Sequence, residues 1–143
     1  MESKENVEVL GAADGASRSD DMAVQLSAAS LAYLGDSVYE ILVREHLVLA
    51  RVKNPSVESL KYVTAPAQSE ALESILPSLT ETELDVYKRG RNCVHSGVPR
   101  HATPAQYRRA TGLEALFGYL HINGETRRIR ELFSQAFPDL AQK

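Results

Sequence analysis

The chain has 143 residues and a formal net charge of −3, with 43% apolar and 24% charged residues. This length and composition are typical of one soluble globular domain. Its single cysteine, Cys93, excludes an internal disulfide and a four-cysteine zinc site. No apolar run approaches the roughly 20 residues of a membrane helix, so we expect a cytoplasmic protein without a membrane anchor.

The N-terminal segment differs in composition from the rest of the chain. Residues 1–21 carry six acidic and two basic residues and show no apolar periodicity. Acidic, aperiodic segments bury too little apolar surface to offset the entropy of ordering them. We therefore predict a flexible acidic tail over residues 1–21 and one folded domain over residues 22–143.

The folded part is expected to be helical throughout, because Val, Ile and Thr rarely alternate with polar residues as strands require. A segment at 23–34 runs into a long helix that ends near residue 49. Pro55 marks a helix start, Thr80 and Glu83 form a capping box, and Asn123 with Gly124 stops a helix. The later helices are expected at 56–63, 66–76, 80–94, 104–122 and 125–136. The predicted fold class is all-α.

The long helix contains the stretch LAYLGDSVYE, residues 31–40, in which Asp36 follows Gly35. On a helical wheel, one apolar stripe faces away from Asp36, and further apolar residues lie beside the acid. Two interpretations stay open: Asp36 is partly shielded, or it lies on a solvated edge and pairs with Arg44. The predicted stripe consists of Leu31, Leu34, Val38, Ile41, Leu42 and Leu49.

A second lone acid, Glu114, occurs in TGLEALFGYLH, residues 111–121, away from that helix's apolar stripe. Gly112 and Gly118 lie inside the helix, where glycine costs about 1 kcal/mol relative to alanine. Close approach of another helix would explain them, and the glycine before Asp36 has the same character. We therefore expect the two helices to cross and to bring two carboxylates together. Such a pair favours a shared proton or a divalent cation such as Mg²⁺.

A basic run lies between the two acids. Residues 86–113 contain no Asp or Glu, but six Lys or Arg and two His. A cationic helix end stabilised by the helix dipole explains part of this run. A basic loop beside an acid pair indicates a polyanionic substrate with a scissile phosphate, and hence a phosphodiester hydrolase.

These motifs resemble the ribonuclease III family. LAYLGDSVYE is similar to the family's signature helix and LEALFGYL to its second metal-binding helix, and the likeness covers residues 24–137. We therefore expect the catalytic domain alone, without a double-stranded-RNA-binding domain. Together with the motif KRGRN, this makes the chain resemble Mini-ribonuclease III, the compact bacterial branch involved in trimming precursor 23S ribosomal RNA.

The resemblance implies a homodimeric, all-α helical bundle and a magnesium-dependent endoribonuclease. This enzyme would cleave double-stranded RNA in the maturation of the 5′ and 3′ ends of precursor 23S ribosomal RNA. Asp36 and Glu114 would be catalytic and would bind Mg²⁺, and Glu40 would be a ligand, a support for one, or an exposed acid. Longer members carry further acids at the positions of Ala32 and Thr111, so the number of metal ions stays open.

The implied partners are double-stranded RNA, a second copy of the chain and a ribosomal protein bound to the RNA. The candidate RNA contacts are Lys88, Arg89, Arg91, Asn92, Arg100 and Arg108. Two alternatives stay open. One is a non-catalytic RNA-binding ribosome-assembly factor on the same scaffold, and the other is a helical interaction module whose acidic tail binds a basic partner.

Overall fold

The computed structural model describes residues 26–94 and 100–141, and these residues form helices and no strands. The predicted all-α class is therefore confirmed, while the tail predicted over residues 1–21 lies outside the described residues. A 3₁₀ turn, Leu76–Ser78, follows the fourth helix. The helices are α1 (Ala28–Leu49), α2 (Pro55–Glu58), α3 (Leu60–Val63), α4 (Ala65–Ile75), α5 (Glu81–Asn92), α6 (Pro104–Ile122), α7 (Thr126–Ala136) and α8 (Pro138–Ala141).

Several helix ends differ from the prediction for local reasons. Helix α1 begins at Ala28, because the Ser27 hydroxyl accepts a hydrogen bond from the Ser30 amide at 3.0 Å and caps the helix. Residues 23–25 of the predicted segment lie outside the described residues. The helix predicted at 56–63 is interrupted at Ser59, which divides it into α2 and α3. The short α8 was not predicted, since four residues carry too little periodicity to detect.

Side-chain caps set the starts of the two helices that flank the basic run. The predicted capping box at α5 is confirmed: Glu83 N–H donates to Thr80 Oγ1 at 3.1 Å, and Thr80 N–H donates to Glu83 Oε1 at 2.9 Å. Thr103 and Gln106 form the same reciprocal pair at α6. The predicted Asn-Gly stop is also confirmed, since Gly124 has φ +70°.

Helix α6 is the centre of the bundle and contacts α1, α4, α5 and α7. Its predicted apolar stripe is buried, with Leu113, Leu116, Phe117 and Leu120 each at most 2% exposed. Burying a side chain of this size stabilises the fold by about 1.5–3 kcal/mol. A helix surrounded in this way holds its side chains in fixed positions, including the one acid that it carries towards α1.

The apolar stripe predicted on α1 is only partly correct. Leu31, Val38 and Leu42 are buried, but Ile41 is 63% exposed and Leu49 is 70% exposed in the single chain. The buried face is rotated towards Gly35, since α6 approaches most closely there. It therefore also includes Ala32, Tyr39, Val43 and Leu47.

Candidate active site

Two glycines set the distance between α1 and α6. A Cβ atom added at Gly35 would overlap the backbone carbonyl of Glu114, and one added at Gly118 would overlap the backbone carbonyl of Leu31. The main chains are thus in direct contact, which only glycine permits at these two positions. The predicted crossing of the glycine-containing helices is confirmed.

The crossing places the Asp36 and Glu114 carboxyl groups close enough to interact electrostatically. Burial raises the pKa of Glu114 to about 8, and the neighbouring charge of Asp36 raises it in the same direction. Glu40 adds a smaller effect on this pKa through space. At neutral pH and without a cation, Glu114 is therefore mostly protonated.

The surroundings of Asp36 match neither sequence interpretation completely. Asp36 is exposed, so the expectation of partial shielding is wrong for the single chain. Its predicted ion pair with Arg44 is not found among the described residues, because Arg44 Nη2 instead contacts Glu40 Oε1 at 3.4 Å. Asp36 is thus the accessible member of the acid pair, and Glu114 is the more deeply placed one.

Gln68 on α4 belongs to the site and was missed in the sequence. It is 3% exposed, and its amide Nε2 donates to Glu114 Oε2 at 3.3 Å and to the Val63 carbonyl at 3.0 Å. Its Oε1 is buried and has no hydrogen-bond partner in the part of the chain that the structure describes. The available signal was a glutamine within the apolar stripe that continues through Ala71, Leu72 and Ile75.

Tyr39 lies beside Glu114 in the core. Its side chain is 1% exposed, and its hydroxyl donates a hydrogen bond to the Tyr62 carbonyl at 2.6 Å. Burial raises the pKa of Tyr39, and the Glu114 carboxyl raises it further. Tyr39 therefore stays uncharged. Its buried ring lies on one side of the site and lowers the local dielectric constant around Glu114.

The donor atoms fit a magnesium ion better than a softer metal. Asp36 and Glu114 supply carboxylate oxygens, and Gln68 has a buried amide oxygen without a partner. Magnesium takes oxygen ligands and commonly keeps several waters beside one or two carboxylates. Over residues 26–94 and 100–141, no three His, Cys, Asp or Glu side chains converge in a metal-binding group. An ion here would thus retain much of its water.

The two positions at which the resemblance would allow further acids, Ala32 and Thr111, provide no carboxylate here. Ala32 is buried at 6% exposure. The Thr111 hydroxyl donates to the Tyr107 carbonyl within its own helix at 3.0 Å. Ala32 is thus packed in the core, and the Thr111 hydroxyl is bonded within its own helix. The acid pair among the described residues remains Asp36 and Glu114.

The six predicted RNA contacts have different local surroundings. Lys88, Arg91, Asn92 and Arg108 line a cavity of about 640 Å³ between α5 and α6. Arg100 lies elsewhere, in a cavity beside Thr64, Ala65 and Pro66 at the start of α4. Arg89 lines neither cavity, and its Nη2 donates to the Leu26 carbonyl at 3.1 Å.

A Ribonuclease III domain model matches residues 29–125. The chain is 46% identical to Mini-ribonuclease 3 of Symbiobacterium thermophilum over 110 residues, which cover 75% of this chain and 85% of that protein. It is also 42% identical to Mini-ribonuclease 3 of Brevibacillus brevis over 75% of this chain and 82% of that protein. The chain belongs to the ribonuclease III family, in its Mini-ribonuclease III branch.

The fold of this chain also occurs in a solved structure. A crystal structure of a Fusobacterium nucleatum protein superimposes with a TM-score of 0.70 at 27% identity, covering 77% of this chain and 90% of that one. A member of this family is an endoribonuclease, which decides against the non-catalytic assembly factor and the interaction module. No helix in the described part of the chain has the length and apolar character needed to span a bilayer.

Proposed function

We propose that this endoribonuclease cleaves double-stranded RNA with the help of Mg²⁺ held by Asp36 and Glu114. The observation that carries the proposal is the carboxyl pair held across the contact between α1 and α6. When bound, the ion would supply Lewis-acid activation of water and of the phosphodiester. Asp36 and Glu114 would hold the ion in position.

The roles of the two acids follow from their different exposure. Asp36 is exposed and can meet both the ion and the substrate. Glu114 is held from behind by the Gln68 amide at 3.3 Å, which fixes the direction of its carboxylate. Because the pKa of Glu114 is raised to about 8, binding of a cation must displace the proton that Glu114 carries. Metal affinity should therefore increase with pH through this range.

Glu40 is proposed to support the site. It lies one turn after Asp36 on α1, and its negative charge contributes to the raised pKa of Glu114. Its own carboxylate contacts Arg44 at 3.4 Å and is 43% exposed. This arrangement suits an acid that adds negative potential for the cation while an arginine keeps it in place.

The proposed substrate is double-stranded RNA, cleaved in the maturation of the 5′ and 3′ ends of precursor 23S ribosomal RNA. Membership of the Mini-ribonuclease III branch supports this assignment. Double-stranded RNA is read mainly through its shape, its phosphates and its 2′-hydroxyls. Lys88, Arg89, Arg91, Asn92, Arg100 and Arg108 are proposed to provide these contacts. A ribosomal protein that shapes the RNA is proposed as a further partner, in the cytoplasm.

A homodimer is proposed from the surface of α1. Tyr33 is 85% exposed, Ile41 63% and Val48 65%, and they follow one another at helical spacing on the face away from α6. Val57 and Leu60 are also exposed, at 65% and 57%. Exposed apolar side chains that group on a surface mark protein–protein contact sites. A second copy related by a two-fold axis is proposed to cover these side chains.

The direct test is cleavage of a purified duplex RNA with and without Mg²⁺. Wild-type protein is expected to cleave only with the metal, and the Asp36→Asn and Glu114→Gln variants are expected to lose cleavage while melting as cooperatively as wild type. Glu70→Gln, which changes an exposed acid on α4, is the matched control and should cleave normally. Cleavage at the wild-type rate by either site variant at saturating Mg²⁺ would refute the proposed roles.

A further inference from the structure

The cavity between α5 and α6 has the composition of an anion-binding site. Its volume is about 640 Å³, and no Asp or Glu is among its lining residues. This volume lies within the range of about 300–1,000 Å³ that is common for sites of small ligands. The described residues that line it are Leu76, Leu84, Tyr87, Lys88, Arg91, Asn92, Val94, Ala105, Arg108 and Arg109.

The cations of this cavity are largely uncompensated. Arg109 is paired with Glu73 at 3.0 Å. Within residues 26–94 and 100–141, Lys88, Arg91 and Arg108 have no carboxylate within ion-pair distance. Three positive side chains around one concavity repel one another unless an anion joins them.

Helix stability does not explain this arrangement. Lys88 and Arg91 lie in the last turns of α5, where a cation complements the helix dipole. Arg108 instead follows the first turn of α6, where the dipole gives a cation no stabilisation. The α6 arginine therefore faces the α5 cations without a structural benefit of its own.

Arg91 is also held in a defined position. Its guanidinium lies over the Tyr87 ring, 5.7 Å from the ring centroid, and its Nε donates to Asn92 Oδ1 at 3.1 Å. Tyr87 is itself 3% exposed and fixed against Gly112 of α6. A guanidinium positioned in this way loses less conformational entropy when it binds a phosphate.

The cavity lies on a different side of α6 from the acid pair. At 3.6 residues per turn, Ala105, Arg108 and Arg109 are each at least about 120° around the helix from Glu114. The body of α6, about 10 Å across, separates an anion in the cavity from a phosphate at Asp36 and Glu114. One phosphate group cannot occupy both places.

We propose that the α5–α6 cavity is a phosphate-binding site that holds an RNA phosphate other than the scissile one, through Lys88, Arg91 and Arg108. The RNA part of this inference rests on the proposed function. It divides the basic run into residues that hold a remote phosphate and residues, such as Arg100, that lie elsewhere.

The test uses a Lys88→Gln/Arg108→Gln double variant and a Lys53→Gln/Arg127→Gln control. The control removes two exposed cations from other elements and gives the same change in net charge. Inorganic pyrophosphate is titrated into each protein without divalent metal, by calorimetry. Duplex RNA binding is measured over a range of salt concentrations in the cleavage-deficient Glu114→Gln background, so that it does not depend on catalysis. Melting curves establish that each variant is folded.

The cavity variant is expected to bind pyrophosphate and duplex RNA at least about tenfold more weakly, and its salt slope should flatten by about 1, the value for one phosphate contact. The control should match the parent. Pyrophosphate binding that depends on the cavity without any effect on RNA would overturn the RNA assignment and leave a site for a small phosphate compound. Equal weakening by the control, or no effect of the cavity variant on either probe, would overturn the site itself. None of these results depends on whether wild-type protein cleaves RNA.

Discussion

Glu114→Gln should stabilise the metal-free protein at alkaline pH but not at acidic pH. The pKa of Glu114 is about 8 in the folded chain and 4.5 for an ordinary glutamate. The folded state therefore binds more protons than the unfolded state between these values, and stability falls as pH rises from about 4.5 to 8. Glutamine is a neutral isostere of the protonated side chain, so the variant lacks this loss.

The magnitude follows from the same shift. Each pKa unit corresponds to about 1.36 kcal/mol, which gives an upper bound of about 5 kcal/mol. Because Asp36 is exposed and water reaches the pair, solvent screening reduces the expected difference to roughly 2–3 kcal/mol. For a domain of this size, that difference raises the melting temperature at pH 8.5 by on the order of 10 °C.

The assay is thermal unfolding from pH 5 to 9 in a chelating buffer at fixed protein concentration. Wild type and Glu114→Gln should melt together near pH 5 and diverge as pH rises, whereas the exposed Glu70→Gln control should follow wild type throughout. Added Mg²⁺ should stabilise wild type at pH 8 and have little effect on Glu114→Gln. A difference between wild type and Glu114→Gln that does not change with pH would show that Glu114 titrates near its ordinary pKa, and the reasoning would be wrong.

Three further predictions concern other parts of the molecule. Gly35→Ala places a methyl group against the Glu114 carbonyl and should lower stability in urea by roughly 1–3 kcal/mol or more. Gly124→Asn, with open space around the Cβ position, should cost less than half of that, and similar losses would contradict the close helix contact. Deleting residues 1–21 should leave the melting temperature and cleavage almost unchanged, and a large loss of stability would mean that the segment is packed. Ile41→Asp should shift the protein towards monomer in sedimentation, and an unchanged dimer would place the two-fold contact elsewhere.

The helices and their caps could be predicted because both signals are local in sequence. The Thr80 capping box spans four residues, and the Asn-Gly stop needs two. The crossing of α1 and α6 was also predictable, because glycines inside helices are costly and require a reason such as close approach. The acid pair follows from that crossing.

Features that depend on the tertiary structure could not be predicted from the sequence in the same way. Gln68 lies 46 positions from Glu114, and no local pattern joins them. The exposure of Ile41 depends on which side of α1 the other helices cover, which a helical wheel does not contain. The basic run is continuous in sequence, yet Arg91 lines the cavity between α5 and α6 while Arg100 lines another at the start of α4.

The backbones of Gly35 and Glu114 are in direct contact, and this contact limits how far α1 and α6 can shift against each other. Most helix pairs meet through a layer of side chains, which can change rotamer and let the helices shift slightly. Here no such layer separates α1 from α6 at the crossing. Pressure therefore finds little void volume to compress there. Heating cannot change the helix distance through side-chain rotamers. The distance between the Asp36 and Glu114 backbones is therefore expected to be among the least compressible in the molecule.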